Sequence, residues 1–412
     1  MLVRSFLLLS SYMIIGLIGK ANVGKSTFFN AATELAVPAA NYPFTTIEPN
    51  VGVAYARVKC VCREFGVQDN PVHSMCIDGN RFIPVKLIDV AGLVPGAHAG
   101  KGLGNRFLDD ARQADALIHV VDASGSTDSA GKTVPAGTGD PMFDVNFVEE
   151  EFDLWMAGII SRDWSKTARE AENQGQKLEQ MLAKRLSGLA IPEHKISAAV
   201  HESGLASKKP TLWSEADILH FCKVLRAKAK PFLVAANKAD LPTAEANIDR
   251  MKKAGLAVVP CASEAEAMLK KASKKGVLHY LPGDGSFDVK QGVALNEQQK
   301  KALDIVKALI EKYGSTGVQE AINIACFNLL HLVAVYPVED EFKLADKKGN
   351  VLPDVRLLPA GSTAKDLAGT VHADLAKGFL YAIDARTKQR IGADHQLKSG
   401  DVIKIVSASS RG

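Results

Sequence analysis

The chain is poor in cysteine, nearly free of net charge and without long apolar runs. Six Cys in 412 residues cannot make a disulfide framework. With no credible secretion signal, reduced thiols in a cytoplasmic protein are expected. Lys plus Arg exceeds Asp plus Glu by only 50 − 46 = 4. No global basic field announces nucleic acid, so any basic surface must be local. The one apolar stretch near the start, Phe6-Leu7-Leu8-Leu9 behind Arg4, is too short to span a bilayer. No small-residue cleavage site follows it, so no membrane partner is expected. A buried-strand pattern begins only at Met13, and residues 1–12 read as a non-native or disordered leader. What remains is ordinary globular composition, 47% apolar and 23% charged. The length is enough for two or three domains.

Met13-Ile14-Ile15-Gly16-Leu17-Ile18 is apolar on both sides, as a central parallel strand is. It runs into Gly19-Lys20-Ala21-Asn22-Val23-Gly24-Lys25-Ser26-Thr27 and then Phe28-Phe29-Asn30-Ala31-Ala32, an apolar helix start. This is strand, G-x-x-x-x-G-K-S, helix. By composition the four-residue match arises in roughly one or two chains per hundred of this length, and its strand-to-helix context cuts that further. The glycines let backbone N–H groups wrap a phosphate chain, and the helix N-terminus adds its positive end. Lys25 is placed to reach the β- and γ-phosphates, and the Ser26 hydroxyl to bind Mg²⁺.

Four later segments carry the rest of a nucleotide site. Strand Pro84-Val85-Lys86-Leu87-Ile88-Asp89 ends in Asp89-Val90-Ala91-Gly92. Asp89 would hold Mg²⁺ through water, and the Gly92 N–H would sense the γ-phosphate. Between them, Tyr42-Pro43-Phe44-Thr45-Thr46-Ile47-Glu48-Pro49-Asn50 offers two hydroxyls, one of which would complete the Mg²⁺ shell, as switch loops do. Farther on, Pro231-Phe232-Leu233-Val234-Ala235-Ala236 delivers Asn237-Lys238-Ala239-Asp240 at the C-terminal end of a strand, where α/β sheets bind ligands. A carboxylate accepts two parallel hydrogen bonds; guanine offers N1–H and its 2-amino group in that arrangement and adenine does not. Asp240 therefore argues for GTP over ATP. Asn237 would tie the base motif to the phosphate loop, with the Lys238 stem beside the base. After the strand Leu256-Ala257-Val258-Val259-Pro260, backbone N–H groups at Ala262 and Ser263 would meet the guanine carbonyl.

The runs Asn22 to Asn30, Asn41 to Gly52, and Asp89-Val90-Ala91-Gly92-Leu93-Val94-Pro95-Gly96-Ala97 with Gly102-Leu103-Gly104-Asn105 resemble the Obg-like GTPases. The likeness is to the YchF subfamily in its archaeal form, over about residues 13–409. The resemblance implies Thr46 rather than Thr45 as the metal-side hydroxyl. Some YchF proteins carry a base motif ending in Glu and take ATP; this chain keeps Asp240. In the family's base loop the usual order is Ser-Ala, whereas here it is Ala262-Ser263, a swap that spares a backbone role only. Leu93 follows Gly92 where many GTPases place a water-orienting Gln, so slow intrinsic hydrolysis is expected. Asn22 occupies the place where related GTPases bind K⁺, a possible further cofactor, and His98 is a loop candidate for ordering water.

The expected architecture is an α/β P-loop G domain with a helical insertion, plus a small C-terminal β-grasp domain. G-domain residues span 13–142 and 231–334, the insertion 143–230 and the last domain 335–412. Ala123 to Pro141 reads as a long mobile loop. Trp164 and Trp213 suit packing anchors. His372-Ala373-Asp374-Leu375, Gly378-Phe379 and Gly400-Asp401-Val402-Ile403 make the last part resemble a TGS domain, which implies RNA or ribosome binding. Candidate phosphate contacts are Lys223, Arg226, Lys228 and Lys230; the run Lys270-Lys271-Ala272-Ser273-Lys274-Lys275; and Arg386, Lys388 and Arg390, which would share one face of a strand. Cys60-Val61-Cys62, His73 and Cys76 include three thiols and an imidazole. C-x-C with a lone third Cys is not a standard finger spacing, so free or buried thiols are expected rather than zinc. The functional expectation is a Mg²⁺-dependent GTPase that binds GTP and GDP and acts on the ribosome or RNA. The alternatives are a nucleotide-stabilised scaffold protein with incidental turnover, and a YchF-type ATPase.

Overall fold

The structure, a computed structural model, describes residues 13–34, 50–90, 111–173, 177–189 and 191–408; the expected leader 1–12 lies outside them. The chain divides into two units. One takes Ile14–Ala31 and Leu87–Ala321; the other takes Ala32–Lys86 and Ile322–Gly412.

The strands in chain order are β1 (Ile14–Ile18), β2 (Val51–Lys59), β3 (Met75–Ile77), β4 (Asn80–Asp89), β5 (Ala116–Asp122), β6 (Phe232–Asn237) and β7 (Val258–Pro260). In the first unit the end of β4 is followed by β1, β5, β6 and β7 in that order. β1, β5, β6 and β7 pair in parallel, with Ile15 opposite Ala116, Asp122 opposite Asn237 and Val234 opposite Val258. All seven residues of β5 are buried, which needs helices on both faces of the sheet. The register therefore brings Gly19, Asp122 and Asn237 to one edge, the C-terminal edge where α/β sheets form sites.

Between β5 and β6 lie the helices Pro141–Ser161, Trp164–Asn173, Leu178–Arg185, Glu193–Glu202 and Glu215–Ala229. The first starts cleanly because Asp140 caps the Met142 N–H and Pro141 occupies the first turn. The last starts on a reciprocal capping box between Ser214 and Asp217. Trp164 and Trp213 are buried and stack 5.3 Å apart, with Phe221 5.8 Å from Trp213. Phe152 meets the Phe232 ring edge-on at 5.9 Å, which seats the insertion on β6. A short antiparallel pair, β8 (Leu278–His279) and β9 (Asp288–Val289), stands apart from the main sheet.

In the second unit β2 and β3 flank the first part of β4. A separate five-stranded sheet contains β10 (Leu332–Val338), β11 (Arg356–Pro359), β12 (Phe379–Asp384), β13 (Arg390–Ile391) and β14 (Val402–Ser407), in the order β11-β10-β14-β12-β13. β10 and β14 are parallel and the remaining pairs antiparallel. The helix Ala364–Val371, opened by a Thr363–Asp366 capping box, packs Ala364 and Leu367 against Val335, Leu358 and Ile403. The result is the α/β fold with a helical insertion and a small sheet-rich C-terminal domain that the sequence leads one to expect. Among the described residues no helix is long and apolar enough to cross a membrane.

Candidate nucleotide site

Gly19 ends β1 at φ +150°, and a Cβ there would lie 2.5 Å from the Val120 carbonyl oxygen. Gly24 has φ +89°, and its Cβ would stand 2.3 Å from Asn237 Nδ2. Both positions therefore need glycine, one for the strand-to-loop turn and one for the approach of the base motif. Asn22, between them, adopts φ +64° and donates from Nδ2 to the Gly131 carbonyl at 2.8 Å. The helix Lys25–Thr33 follows, with Phe28 N–H bonded to Gly24 O at 2.9 Å. Lys25 and Ser26 thus stand at its N-terminus, with Val23 buried beneath them and Thr27 half-buried. The Lys25 ammonium is ion-paired with the Asp89 carboxylate at the end of β4.

Asn237 is the hub of the site. It is buried at the end of β6, donates to Val23 O at 2.9 Å, and accepts from the Ser263 N–H at 3.1 Å and the Ser263 hydroxyl at 2.9 Å. Lys238, at φ +60°, sends its ammonium to Asn22 O at 3.2 Å, Asp122 Oδ2 at 2.8 Å and Ser126 Oγ at 3.0 Å. Burial opposes ionisation of Asp122, but hydrogen bonds from Lys238, Ser124 and Ser126 outweigh it and hold the carboxyl below the usual carboxylate range. Asp240 is exposed, two residues beyond Lys238.

The Ala262-Ser263 order has a consequence that sequence reading missed. Moving the hydroxyl one place along the chain lets Ser263 bond Asn237 through both its backbone and its side chain. The Ala262 N–H is committed to Thr316 O at 2.9 Å, so neither of these two N–H groups points at a base. Beneath them lies a second missed feature. Glu266, fully buried, accepts from Tyr280 Oη at 2.6 Å and from the Thr316 hydroxyl, and pairs with Lys270 at 3.2 Å. Lys270 also caps the Ala31 carbonyl near the end of the phosphate-loop helix at 2.5 Å.

The stretch from 123 to 141, expected as a mobile loop, is folded back on itself. Gly139 N–H bonds Gly125 O, Val134 N–H bonds Ser126 O, and Lys20 reaches across to Asp144 at 2.7 Å and Asp128 O at 2.7 Å. Glycines and hydroxyls here supply turn geometry and hydrogen bonds rather than looseness. Thr45, Thr46, Gly92, Leu93 and His98 lie outside the described residues.

The basic candidates divide. Lys270 is internal, as above. Arg226 is buried against Glu149 and Asp153 at 2.7 Å each, and Lys230 is buried on the carbonyls of Arg112 and Ala114 at 2.7 and 2.5 Å. Arg386 and Lys388 fall in the turn between β12 and β13, with Lys388 at φ +61°, so they share no strand face with Arg390. A charged residue every second position does not imply a continuous strand.

The expectation against zinc is overturned. Cys60, Cys62, Cys76 and Asp69 bring one ligand atom each within 4.8 Å of one another, a plausible metal-binding cluster. His73 is not part of it: it is 43% exposed, and its Nδ1 stands 3.5 Å from Asp354. The fourth donor is a buried carboxylate, which a search for Cys and His spacing does not look for. Cys60 is pushed down to about 6, chiefly by the hydrogen bond from Cys76, with burial opposing and the Arg81 guanidinium helping.

Comparison with known proteins places the chain in a family. Residues 14–140 match the family model "50S ribosome-binding GTPase", 235–340 match "Obg-like GTPase YGR210-like, G4 motif-containing domain" and 347–407 match "TGS domain". The chain is 52% identical to an uncharacterized GTP-binding protein of Methanocaldococcus jannaschii, covering 96% of this chain and 99% of that one. It superposes on a crystal structure of a GTP-binding protein from Pyrococcus horikoshii with a TM-score of 0.76 and 43% identity, over 96% of this chain and 100% of the other. It is 26% identical to the ribosome-binding ATPase YchF of Bacillus subtilis, over 89% of this chain and 87% of that protein. A nucleotide-binding chain with this phosphate loop, this base motif and this C-terminal module belongs to the Obg-like P-loop GTPases, of the YchF type that carries a TGS domain.

Proposed function

We propose that the chain binds GTP with Mg²⁺, hydrolyses it slowly to GDP and phosphate, and acts as a translation factor on the ribosome or RNA. The observation that carries this reading is the Asn237 hub, which fastens the base motif to the phosphate loop and to Ser263 in one hydrogen-bonded unit. In this reading the backbone from Gly19 to Thr27 wraps the phosphates, Lys25 neutralises the β- and γ-oxygens, and Asp240 takes the guanine N1–H and 2-amino group. Ser26, Thr46 and, through water, Asp89 are hard oxygen donors of the kind Mg²⁺ takes, and the ion would offset charge on the phosphate oxygens. The contact between Lys25 and Asp89 supports this, because it brings the phosphate-side cation and the metal-side carboxylate to one point. Gly92 would report the γ-phosphate, and Asn22 remains the candidate K⁺ position. The ribosome assignment is supported by the family description matched at 14–140 and by the TGS match.

The ATP-using relative makes base choice the first test. Affinities for GTP, GDP and ATP with Mg²⁺ should favour guanine, and Asp240→Asn should transfer that preference to xanthine nucleotide. ATP bound as tightly as GTP would overturn the guanine assignment. Co-sedimentation with ribosomes that is stronger with a non-hydrolysable GTP analogue than with GDP would support the translation role. Binding indifferent to nucleotide would favour the scaffold reading.

A further inference from the structure

We propose that Cys60, Cys62, Cys76 and Asp69 hold one structural Zn²⁺, and that the ion fixes the segment 60–82 as the platform that clasps the C-terminal module. The four donors come from separate pieces of chain. Cys60 follows β2, Cys62 opens the short helix Cys62–Phe65, Asp69 lies in the loop after it, and Cys76 sits in β3. Two thiolates bound at about 2.3 Å in a tetrahedron stand about 3.8 Å apart; Cys62 Sγ and Cys76 Sγ are 3.7 Å apart. Cys60 Sγ is 3.2 Å from Asp69 Oδ2. The donor set is three soft thiols and one carboxylate, with no imidazole among the four. This suits a closed zinc site better than Mg²⁺ or Ca²⁺, which take oxygen. Cys76, only half-buried, leaves an entry path.

Around the donors is the outer support such sites carry. Arg81, fully buried in β4, bonds Asp69 Oδ2 at 2.7 Å and approaches Cys60 Sγ at 3.5 Å. Asp69 Oδ2 faces both the guanidinium and Cys60 Sγ, and a carboxylate oxygen has two lone pairs, so it can accept from Arg81 and still face an ion. The positive charge also lowers the net negative charge that four anionic ligands would bury around a dication. Arg81 then continues to Leu352 O, at 3.1 Å from each of its two terminal nitrogens, and its ring partner is Tyr336 at 5.3 Å. The loop that carries Asp69 also adds Asn70 N–H to Val351 O at 3.1 Å and Val72 N–H to Pro353 O at 2.8 Å. A fixed metal knuckle would hold every one of these donors in register with residues 351–353.

The test is elemental analysis of the full chain purified with thiols reduced and no chelator, followed by Co²⁺ exchange. About one zinc per chain is expected, with Co²⁺ giving the visible and charge-transfer bands of tetrahedral thiolate coordination. Cys62→Ser with Cys76→Ser should lose the metal and the bands; His73→Ala should keep both. Removing metal from the unaltered chain should lower its thermal midpoint and expose the Asn70 and Val72 amides, which donate to Val351 and Pro353, to hydrogen exchange, a readout that does not depend on a variant folding. A chain that purifies without metal, binds neither Zn²⁺ nor Co²⁺ and gives full thiol titration overturns the proposal. So does a Cys62–Cys76 disulfide that forms in the native chain while metal stays absent, which would make the cluster a redox pair.

Discussion

Two buried side chains do comparable work in the two units by different physics. Asn237 joins residues 23 and 263 with a neutral amide that donates once and accepts twice. Arg81 joins residues 69, 74 and 352 with a charged guanidinium. A neutral hub costs little to bury and fixes geometry, which suits a loop that must present backbone N–H groups to a ligand. A charged hub is expensive to desolvate and pays only while its counter-charge stays in place. The nucleotide unit is thus organised for presentation and the other for fastening.

The largest effect should come from breaking the charged hub. In the metal-free chain, Arg81→Ala leaves Asp69 buried without its partner, and loss of about 3–5 kcal/mol of stability is expected, read by denaturant unfolding. GTP affinity of the folded fraction should be unchanged. A loss below about 1 kcal/mol would mean Asp69 is not held as a buried charge, and the contrast with Asn237 would fail.

Next in size, Asn237→Ala strands the Ser263 N–H and the Val23 carbonyl. Roughly 2–3 kcal/mol of stability should go, and GTP affinity should fall at least tenfold, by calorimetric titration. Ser263→Ala, which removes the hydroxyl alone, should cost about 1 kcal/mol. If Ser263→Ala matched Asn237→Ala, the serine rather than the amide would be the hub.

These two hubs were not equally legible in the sequence. The phosphate loop and base motif are contiguous runs whose spacing is dictated by backbone wrapping, so Lys25 and Asn237 could be placed by position alone. Parallel strands could be recognised because both faces are apolar, as in β5. Glu266, Thr316 and Lys270 could not, because their meeting depends on a turn some fifty residues away, and Lys270 hides in a run of lysines that looks solvated. The cysteines were visible, but residue type favoured His73 over Asp69. The choice was decided by burial, which sequence does not display, and by Arg81, which makes a buried carboxylate tolerable.

A third prediction concerns acid. His119 is buried in β5, and burial, with the nearby Lys20 charge, pushes it down to about 3 from its ordinary 6.5. The folded chain therefore holds this imidazole neutral while the unfolded chain protonates it. Where the unfolded state binds the extra proton, stability rises with pH, so it must fall as pH drops from about 6.5 toward 3. Between pH 7 and about pH 4.5 the loss from this group should be roughly 2–3 kcal/mol, centred on the nucleotide unit. His119→Leu should flatten that part of the pH–stability curve. An unchanged slope would assign the acid sensitivity to other groups.

The smallest effect separates buried fastening from surface fastening within one unit. Arg386 holds Glu64 with two hydrogen bonds, at 2.5 and 2.9 Å, lies over the Phe65 ring at 5.5 Å and reaches Gly400 O at 3.2 Å. The hydrogen bonds from Arg386 draw the Glu64 carboxyl below its ordinary value, against a small opposing effect of burial. Both side chains are more than a third exposed, so water and salt screen the pair, and its two flexible side chains lose freedom in holding it. Arg386→Ala should therefore cost no more than about 1 kcal/mol, and less at high salt. If it instead cost as much as Arg81→Ala and did so at any ionic strength, the C-terminal module would be held chiefly at the surface. The buried guanidinium would then be a bystander to that clasp.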